Sequence, residues 1–297
     1  MVSVVHLNED PIKPNRVVLF GGGGFIGSHL TDVLVNDGIE VICPSQRQLD
    51  LSSSTAKTEI RKIVEMGDCV VVLAARTPDR FCSYDNFLKN INIGFNLFEA
   101  LKDIQIRQLI YFSSDAVYGR NQALISEDSP LSPVDLYGAM HLSRELMIST
   151  LLHCPSLILR PTLVYGSNNT HISYGLNKFL ASAVRNKEIH LFGEGEEMRD
   201  HVCVNDLVGL VKECLYMKTS GILNLATGES VTFRSLADLV CQKLEVQASL
   251  RFMQRTQPIW HRHFDVTNRL LAFSQMPFRN VEEGADSILG NISYGRN

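Results

Sequence analysis

Residues 17–27 read VVLFGGGGFIG, and the segment SHLTDVLVNDG follows them directly. The apolar run predicts a buried strand, the glycines predict a turn without side chains, and the amphipathic segment predicts a helix. Such a unit brings backbone N–H groups against a pyrophosphate at a helix N-terminus. Gly21, Gly24 and Gly27 fit a G-x-x-G-x-x-G spacing for this dinucleotide cradle. Gly22 with Gly24 and Gly27 fits G-x-G-x-x-G, so both registers stay open.

The composition limits the class of protein. A chain of 297 residues with 45% hydrophobic residues can bury a large core, and a net charge of −4 gives no reason to expect nucleic acid or a membrane surface as partner. No apolar run reaches about 18 residues, and no secretory signal is recognisable. Residues 1–15 are expected to be a loose lead-in to the first strand. The seven scattered cysteines lack metal-site spacing, so we expect no metal, buried thiols and a cytoplasmic location.

Strands and helices alternate through the first half of the chain. Apolar runs at 40–44, 68–75, 107–114 and 156–160 are separated by segments with helical patterns. This order predicts an α/β fold with a doubly wound parallel sheet of the Rossmann type. We expect residues 16–166 to form mainly the dinucleotide-binding domain. Residues 167–297 are expected to form mainly a smaller α+β substrate-binding lobe, with some segments threaded back into the first domain.

The tip of the second predicted strand lacks a carboxylate. Residues 43–47 read CPSQR. An NAD site usually places Asp or Glu there to accept a hydrogen bond from the adenosine ribose, whereas Ser45 and Arg47 suit a 2′-phosphate. NADP(H) is therefore favoured over NAD(H). The alternative is that Arg47 is merely a solvated loop charge.

Several further motifs follow the glycine turn in order along the chain. They are LAA at 73–75, Asn90, SSDAVYG at 113–119, Tyr137, RPTLVYG at 160–166 and a segment that ends with MRDHVCVNDL at 198–207. With them, the chain from about residue 16 to about 290 resembles an extended short-chain dehydrogenase/reductase of the NAD-dependent epimerase/dehydratase type. The resemblance implies an enzyme that transfers a hydride to or from a carbon of a nucleotide-diphosphate sugar.

The resemblance also implies a role for individual residues. Tyr137 would be the acid/base, Ser114 would position the reacting oxygen, and Arg199 would hold the substrate diphosphate. Cofactor binding is implied for Gly21, Gly24, Phe25, Ile26, Gly27, Ser45, Arg47, Asp50, Leu51, Leu73, Ala74, Ala75, Asn90, Tyr137 and His141. Substrate binding is implied for Ser114, Asp115, Arg199 and Arg262, although the basic cluster around Arg262 fits a surface loop equally well.

Position 141 is the largest departure from the family pattern. It holds His where the family has a lysine that binds the nicotinamide ribose and lowers the pKa of the tyrosine. A histidine with an ordinary pKa of about 6.5 is mostly uncharged at neutral pH. Either His141 still binds the ribose and catalysis proceeds with a less activated phenol, or the site mainly binds. The first interpretation, which we favour, predicts that His141→Lys raises activity or removes a pH dependence between about 6 and 7.

Other departures from the family pattern restrict the type of reaction that we expect. The dehydratases of the family carry an Asp-Glu pair where this chain has Asp115 and Ala116, which disfavours dehydration. The similarity is greater to 4-ketoreductases that use NADPH in deoxysugar biosynthesis. A nucleotide-sugar epimerase with tightly bound NAD is the first alternative, and a non-catalytic dinucleotide-binding sensor or partner protein, consistent with Leu163 in place of a common Asn, is the second. Family members often form homodimers, for which the apolar faces at residues 92–101 and 141–152 are candidates, although these faces fit a place in the core equally well.

Overall fold

The computed structural model describes residues 4–76, 83–120, 122–167, 175–185, 188–244 and 248–289. Its strands are β1 (Val5–His6), β2 (Arg16–Phe20), β3 (Glu40–Ile42), β4 (Cys69–Val72), β5 (Gln108–Phe112), β6 (Ser156–Pro161), β7 (Leu163–Tyr165), β8 (Glu188–Phe192), β9 (Met198–Cys203), β10 (Thr219–Leu225), β11 (Ser230–Thr232) and β12 (Ser249–Met253). Its helices are α1 (Phe25–Asn36), α2 (Ala56–Ile63), α3 (Tyr84–Leu101), α4 (Leu136–Leu151), α5 (Leu176–Arg185), α6 (Val204–Tyr216), α7 (Phe233–Leu244), α8 (Thr267–Ala272) and α9 (Val281–Leu289).

The main sheet has seven strands in the order β1-β10-β6-β5-β4-β2-β3. All neighbours are parallel except β1, which is antiparallel to β10. Every residue of β4 and β5 is buried, as expected where helices cover both faces of a parallel sheet. Leu30 of α1 packs with Leu207 of α6 on one face, and Ile60, Leu97 and Ile148 of α2, α3 and α4 pack on the other. The predicted doubly wound α/β fold is confirmed.

A smaller α+β part is built from the later segments. It contains a three-stranded sheet, β11-β9-β7, a two-stranded sheet, β12-β8, and helices α5, α7 and α9. Phe179, Leu191, Phe233 and Ala285 are in its core. Helix α6 and strand β10 also follow residue 167, yet they pack against α1 and β6 of the main sheet. The division at residues 166 and 167, and the role of this part in binding substrate, stay predictions.

The expectation of a loose lead-in is wrong for residues 4–15, which pack against the main sheet, and residues 1–3 lie outside the described residues. β1 pairs with the edge of β10, and the Leu7 amide donates to the Met217 carbonyl over 3.1 Å. The His6 ring is held on both sides, by the Thr219 hydroxyl at 2.9 Å and by the Ala272 carbonyl at 3.0 Å. The backbone N–H and C=O groups at the edge of β10 need hydrogen-bond partners. β1 provides them with only two residues, which is too short a segment to show a recognisable sequence pattern.

Several strands end earlier than the apolar runs that predicted them. β3, β4 and β5 end at Ile42, Val72 and Phe112, and the residues after them form the carboxyl edge of the sheet. Phe95 of α3 is 43% exposed and lies under the ammonium group of Lys57. Among the described ranges, no helix is long and apolar enough to cross a membrane.

Candidate active site

A cavity of about 790 Å³ lies at the carboxyl ends of β2, β4, β5 and β6. Ligands of doubly wound sheets bind outside these strand ends. The predicted site residues that line it are Gly21, Gly24, Phe25, Ile26, Gly27, Ser45, Asp50, Leu51, Leu73, Ala74, Ala75, Ser114, Asp115, Tyr137 and His141. Arg47, Asn90, Arg199 and Arg262 are not among its lining residues. One cavity therefore connects the glycine turn with the predicted acid/base.

The glycine turn is shaped by close backbone contacts. Gly21 has φ of +99°, and a Cβ there would lie 2.7 Å from the Ala74 amide nitrogen. A Cβ on Gly27 would lie 2.6 Å from Gly22 Cα and would also clash with the Gly21 carbonyl oxygen. A Cβ on Gly22 would clash with the Cys43 sulfur. The turn thus needs Gly21, Gly22 and Gly27 together, so each of the two glycine registers describes part of it.

The N-terminus of α1 faces this cavity with backbone donors. Gly24 is the N-cap, no side chain caps the helix, and its first turn has no acidic residue. The first amides of an α-helix have no acceptor within the helix, and the helix dipole adds positive potential there. Gly23 has open space where its Cβ would be. These features fit a pyrophosphate seated on the turn.

The tip of β3 offers polar donors to the same cavity. Gln48 accepts hydrogen bonds from the Ser45 amide at 2.9 Å and from the Ser45 hydroxyl at 2.8 Å, which closes a tight turn. Arg47 is exposed and has no ion-pair partner in the part of the chain that is described. Asp50 lines the cavity and accepts from the Ser52 hydroxyl at 2.7 Å, and these bonds hold the pKa of the Asp50 carboxyl below its ordinary value.

A buried clamp shapes the loop after β4. The Asn90 side chain accepts from the Arg76 amide at 2.8 Å and donates to the Arg76 carbonyl at 3.0 Å. Arg144, also buried, donates to the Ala74 carbonyl at 2.8 Å and to the Asn90 carbonyl at 2.6 Å. Asn90 therefore acts on the cavity wall through the loop. Arg144 was not among the predicted site residues. The sequence feature that could have identified it is a charged residue on an otherwise apolar helix face.

The start of α4 brings the predicted acid/base against the end of β5. Asp135 caps the helix by accepting from the Gly138 amide at 2.8 Å. A Cβ on Gly138 would lie 2.9 Å from the carbonyl carbon of Ala116, so this glycine allows the helix to approach the segment after β5. Tyr137 is half-buried beside Gly138, and Ser114 lies in the approached segment. Both residues line the cavity.

His141 lies one turn after Tyr137 and is deeply buried. Its ring packs edge-on against the Tyr137 ring, with 4.6 Å between the centroids. The Tyr111 hydroxyl is 2.7 Å from His141 Nδ1. Burial, and then the nearby positive charge of Arg144, lower the pKa of His141 well below its ordinary value. Burial therefore favours the neutral ring at neutral pH and moves the titration of this residue below the expected range of about 6 to 7. The effect of His141→Lys on activity stays a prediction.

Two arginines lie beside Asp115. Arg262 donates to the Asp115 carbonyl at 2.9 Å and lies 3.5 Å from its carboxylate. Burial raises the pKa of Asp115, and the charges of Arg262 and Arg199 oppose this rise. The Arg199 guanidinium is itself bound to the Glu197 carboxylate and to the Trp260 carbonyl. A diphosphate gripped by Arg199 would have to compete with these partners.

A buried polar network supports this end of the cavity from below. Arg160 and Glu145 form an ion pair with 2.6 Å between Nη2 and Oε2. The Ser113 hydroxyl donates to Glu145, and Arg160 donates to the Tyr118 hydroxyl at 2.8 Å. These bonds tie α4, β5 and β6 together under Ser114. Sequence analysis missed the network because its members are far apart along the chain.

His201 is a second buried histidine that lines the cavity and that sequence analysis missed. Its Nδ1 lies 3.2 Å from the Arg199 carbonyl oxygen, and a carbonyl can only accept, so Nδ1 carries the proton. Burial lowers the pKa of His201 to about 4. Nε2 has no partner within the described ranges. The neutral ring therefore exposes an acceptor nitrogen.

Comparison with known proteins gives consistent similarities. Residues 17–226 match the model of the NAD dependent epimerase/dehydratase family. The chain is 30% identical over 225 residues to Protein CapI of Staphylococcus aureus, covering 65% of this chain and 67% of that one. It is 23% identical over 319 residues to dTDP-4-dehydro-6-deoxyglucose reductase of Escherichia coli, covering 94% and 98%. The fold matches Thermus thermophilus UDP-glucose 4-epimerase in complex with NAD with a TM-score of 0.81 at 22% identity, covering 93% and 100%.

Proposed function

Because the chain belongs to the NAD dependent epimerase/dehydratase family, we propose that it reduces a keto nucleotide-diphosphate sugar with NADPH, as a 4-ketoreductase in deoxysugar biosynthesis. The proposal of an oxidoreductase rests on one observation. Ser114 and Tyr137 line the same cavity as the uncapped N-terminus of α1. A hydroxyl, a phenol and an anion-binding helix end are the groups that a dinucleotide-dependent reduction needs from a protein.

The cofactor would be held by three parts of the chain. The turn from Gly21 to Gly27 and the first amides of α1 would bind the pyrophosphate, Ser45 and Arg47 would approach the adenosine ribose, and His141 would approach the nicotinamide ribose. When bound, the reduced nicotinamide supplies the hydride. The fit rests on the absence of side chains at the turn and on Nε2 of His141, which has no hydrogen-bond partner among the described residues.

The proton would come from Tyr137. Its phenol would protonate the sugar oxygen as the carbonyl is reduced, and the Ser114 hydroxyl would hold that oxygen in place. Arg262 and Arg199 would add positive charge near the substrate diphosphate, since both lie beside Asp115. The exposed side chains of Leu88, Phe95 and Leu146 on α3 and α4 support the proposal that two copies of the chain pair through these helices.

An epimerase with tightly bound NAD is the second candidate. Asp50 favours it, because this carboxylate lines the cavity and could accept a hydrogen bond from a ribose hydroxyl. The reductase is preferred because residues 44–48 after β3 hold no carboxylate, and Arg47 among them is exposed and has no ion-pair partner in the described part of the chain. That charge would attract a 2′-phosphate, and an enzyme that uses NADPH must also release the oxidised cofactor.

Cofactor preference tests the choice. The protein is purified gently, its bound nucleotides are identified by mass spectrometry, and it is then titrated with NADPH and NADH. We expect NADPH to exchange freely and to bind about tenfold more tightly, a difference of about 1.4 kcal/mol. Arg47→Glu should abolish that preference, and Arg251→Glu, an exposed arginine on β12, should leave it unchanged.

Other outcomes of this experiment decide against the reductase. Copurified NAD that does not exchange would establish the epimerase instead. A protein that binds neither cofactor would be explained by the non-catalytic alternative.

A further inference from the structure

Two buried rings from different elements meet behind the predicted acid/base. Tyr111 is on β5 and fully buried, and His141 is on α4 and 2% exposed. The Tyr111 hydroxyl and His141 Nδ1 are 2.7 Å apart. The guanidinium of Arg144 also acts on the Tyr111 hydroxyl, and it can only donate. The question is which of the two groups donates.

The surroundings decide the position of the proton. If Nδ1 donated, the phenol proton would need another acceptor, and the guanidinium of Arg144 has donors only. The Glu145 carboxylate, the other charged group that acts on the phenol, accepts from Ser113 and Arg160, and no hydrogen bond joins it to Tyr111 among the described residues. If the phenol donates, both its proton and the Nδ1 lone pair are satisfied. The ring itself is neutral, and the groups that face it are Tyr111 from β5 and, from its own helix, Arg144 and Tyr137.

We propose that Tyr111 is a positioning residue that holds His141 as its Nε2–H tautomer, so that the ring presents a fixed, uncharged hydrogen-bond donor to the cavity. His141 lines that cavity, and its Nε2 is buried without an acceptor in the described part of the chain. The donor would stand where the family has a lysine, and it would supply that residue's N–H without its charge. The ribose hydroxyl as acceptor rests on the proposed function; the tautomer does not.

His201, the other buried histidine of the cavity, can be compared with His141 in the same protein. Its Nδ1 donates to the Arg199 carbonyl, so its neutral ring has the opposite tautomer, with a free lone pair on Nε2. Two buried histidines line one cavity, and one presents a donor while the other presents an acceptor. A donor suits a hydroxyl or phosphate oxygen, whereas an acceptor suits a hydroxyl and repels phosphate.

The tautomers are read directly from the nitrogen shifts of the full chain labelled with ¹⁵N-histidine. Long-range ¹H–¹⁵N correlation spectra are recorded without cofactor at pH of about 7 and about 5.5, and the two rings are assigned with His141→Gln and His201→Gln. We expect His141 to show an unprotonated Nδ1 and a protonated Nε2 at both pH values, and His201 to show the reverse. A protonated Nδ1 on His141 in the unaltered protein would overturn the inference, whether or not any variant folds.

Tyr111→Phe removes the donor while keeping the ring, and Tyr84→Phe, which changes a tyrosine that is 68% exposed, is the matched control. We expect the first variant to give a mixture of His141 tautomers and about tenfold weaker NADPH binding, and the second to change neither. An unchanged His141 signal in Tyr111→Phe would contradict the positioning role.

Adding NADPH to the unaltered protein should move the His141 Nε2–H signal. If NADPH binds without moving it, the ribose contact is wrong although the tautomer stands. If NADPH does not bind at all, the proposed function fails, and the spectra of the free protein still decide the tautomer.

Discussion

The two ends of the cavity are held in shape in different ways. At the glycine turn, a methyl group added to Gly21 or Gly27 would collide with main-chain atoms, and one added to Gly22 would collide with the Cys43 side chain. At the acid/base end, buried side chains such as Tyr111 and Glu145 hold one another through hydrogen bonds between distant elements. The first end depends on close packing at Gly21, Gly22 and Gly27, whereas the second depends on where protons and charges lie.

The largest expected effect is a loss of turnover at the acid/base end of the cavity, with the glycine end unchanged. Tyr137→Phe removes the proposed proton donor but leaves the glycine turn intact, so turnover of a keto nucleotide sugar should fall by about 10³-fold while NADPH binding is kept. Absorbance of NADPH follows the reaction, and Tyr84→Phe should behave like the unaltered protein. Retention of more than about a tenth of the turnover by Tyr137→Phe would exclude this tyrosine as the acid/base.

The second prediction tests the glycine end of the cavity by adding a single methyl group to the turn. Gly27→Ala places a methyl group against the backbone of Gly21 and Gly22, and we expect it to lower the free energy of unfolding by about 3 kcal/mol. Gly23→Ala is the matched control in the same turn, since it extends into open space and should change stability by less than about 0.5 kcal/mol. Urea unfolding measures both. Equal effects of the two substitutions would show that close packing does not define the turn.

The third prediction uses pH, which should affect the histidine-lined part of the cavity and not the turn. His201 has a pKa of about 4 when folded and about 6.5 when unfolded, so below pH 6.5 the unfolded chain binds a proton that the folded chain does not. Stability should therefore fall by about 1.4 kcal/mol per pH unit between these values from this residue, with no further loss below pH about 4.

His201→Gln isolates this contribution from the carboxylates that titrate in the same range. The variant should lose stability less steeply than the unaltered protein between pH of about 6.5 and 4, and exposed His153→Gln should follow the unaltered protein. Parallel curves for all three proteins would contradict the burial of a neutral His201.

Sequence analysis succeeded where the determining contacts are local. The glycine turn follows from eleven consecutive residues, and the order of strands and helices follows from short periodic patterns. The predicted strands were too long, because apolar residues continue beyond the strand ends. Leu73 and Ala74, for example, follow the last residue of β4 and line the cavity. β1 has only two residues and no pattern that could be recognised.

The acid/base end was predicted only where a motif marked it. Ser114 and Tyr137 were identified by resemblance and line the cavity, although their roles stay predictions. Arg144, Tyr111 and His201 were missed because their partners are distant in the sequence, so only the fold brings them together. The pKa of His141 was misjudged for the same reason, since its burial cannot be read from the residues beside it.

Hydride transfer from labelled cofactor tests the central claim most directly. NADPH carrying deuterium on the transferable position of C4 is incubated with the protein and a 4-keto-6-deoxyhexose linked to UDP or dTDP, and the product is analysed by mass spectrometry. We expect a 4-hydroxy product that carries the deuterium, formed by the unaltered protein and not by Tyr137→Phe. A protein that binds NADPH in this cavity but yields no labelled product from either sugar would contradict it.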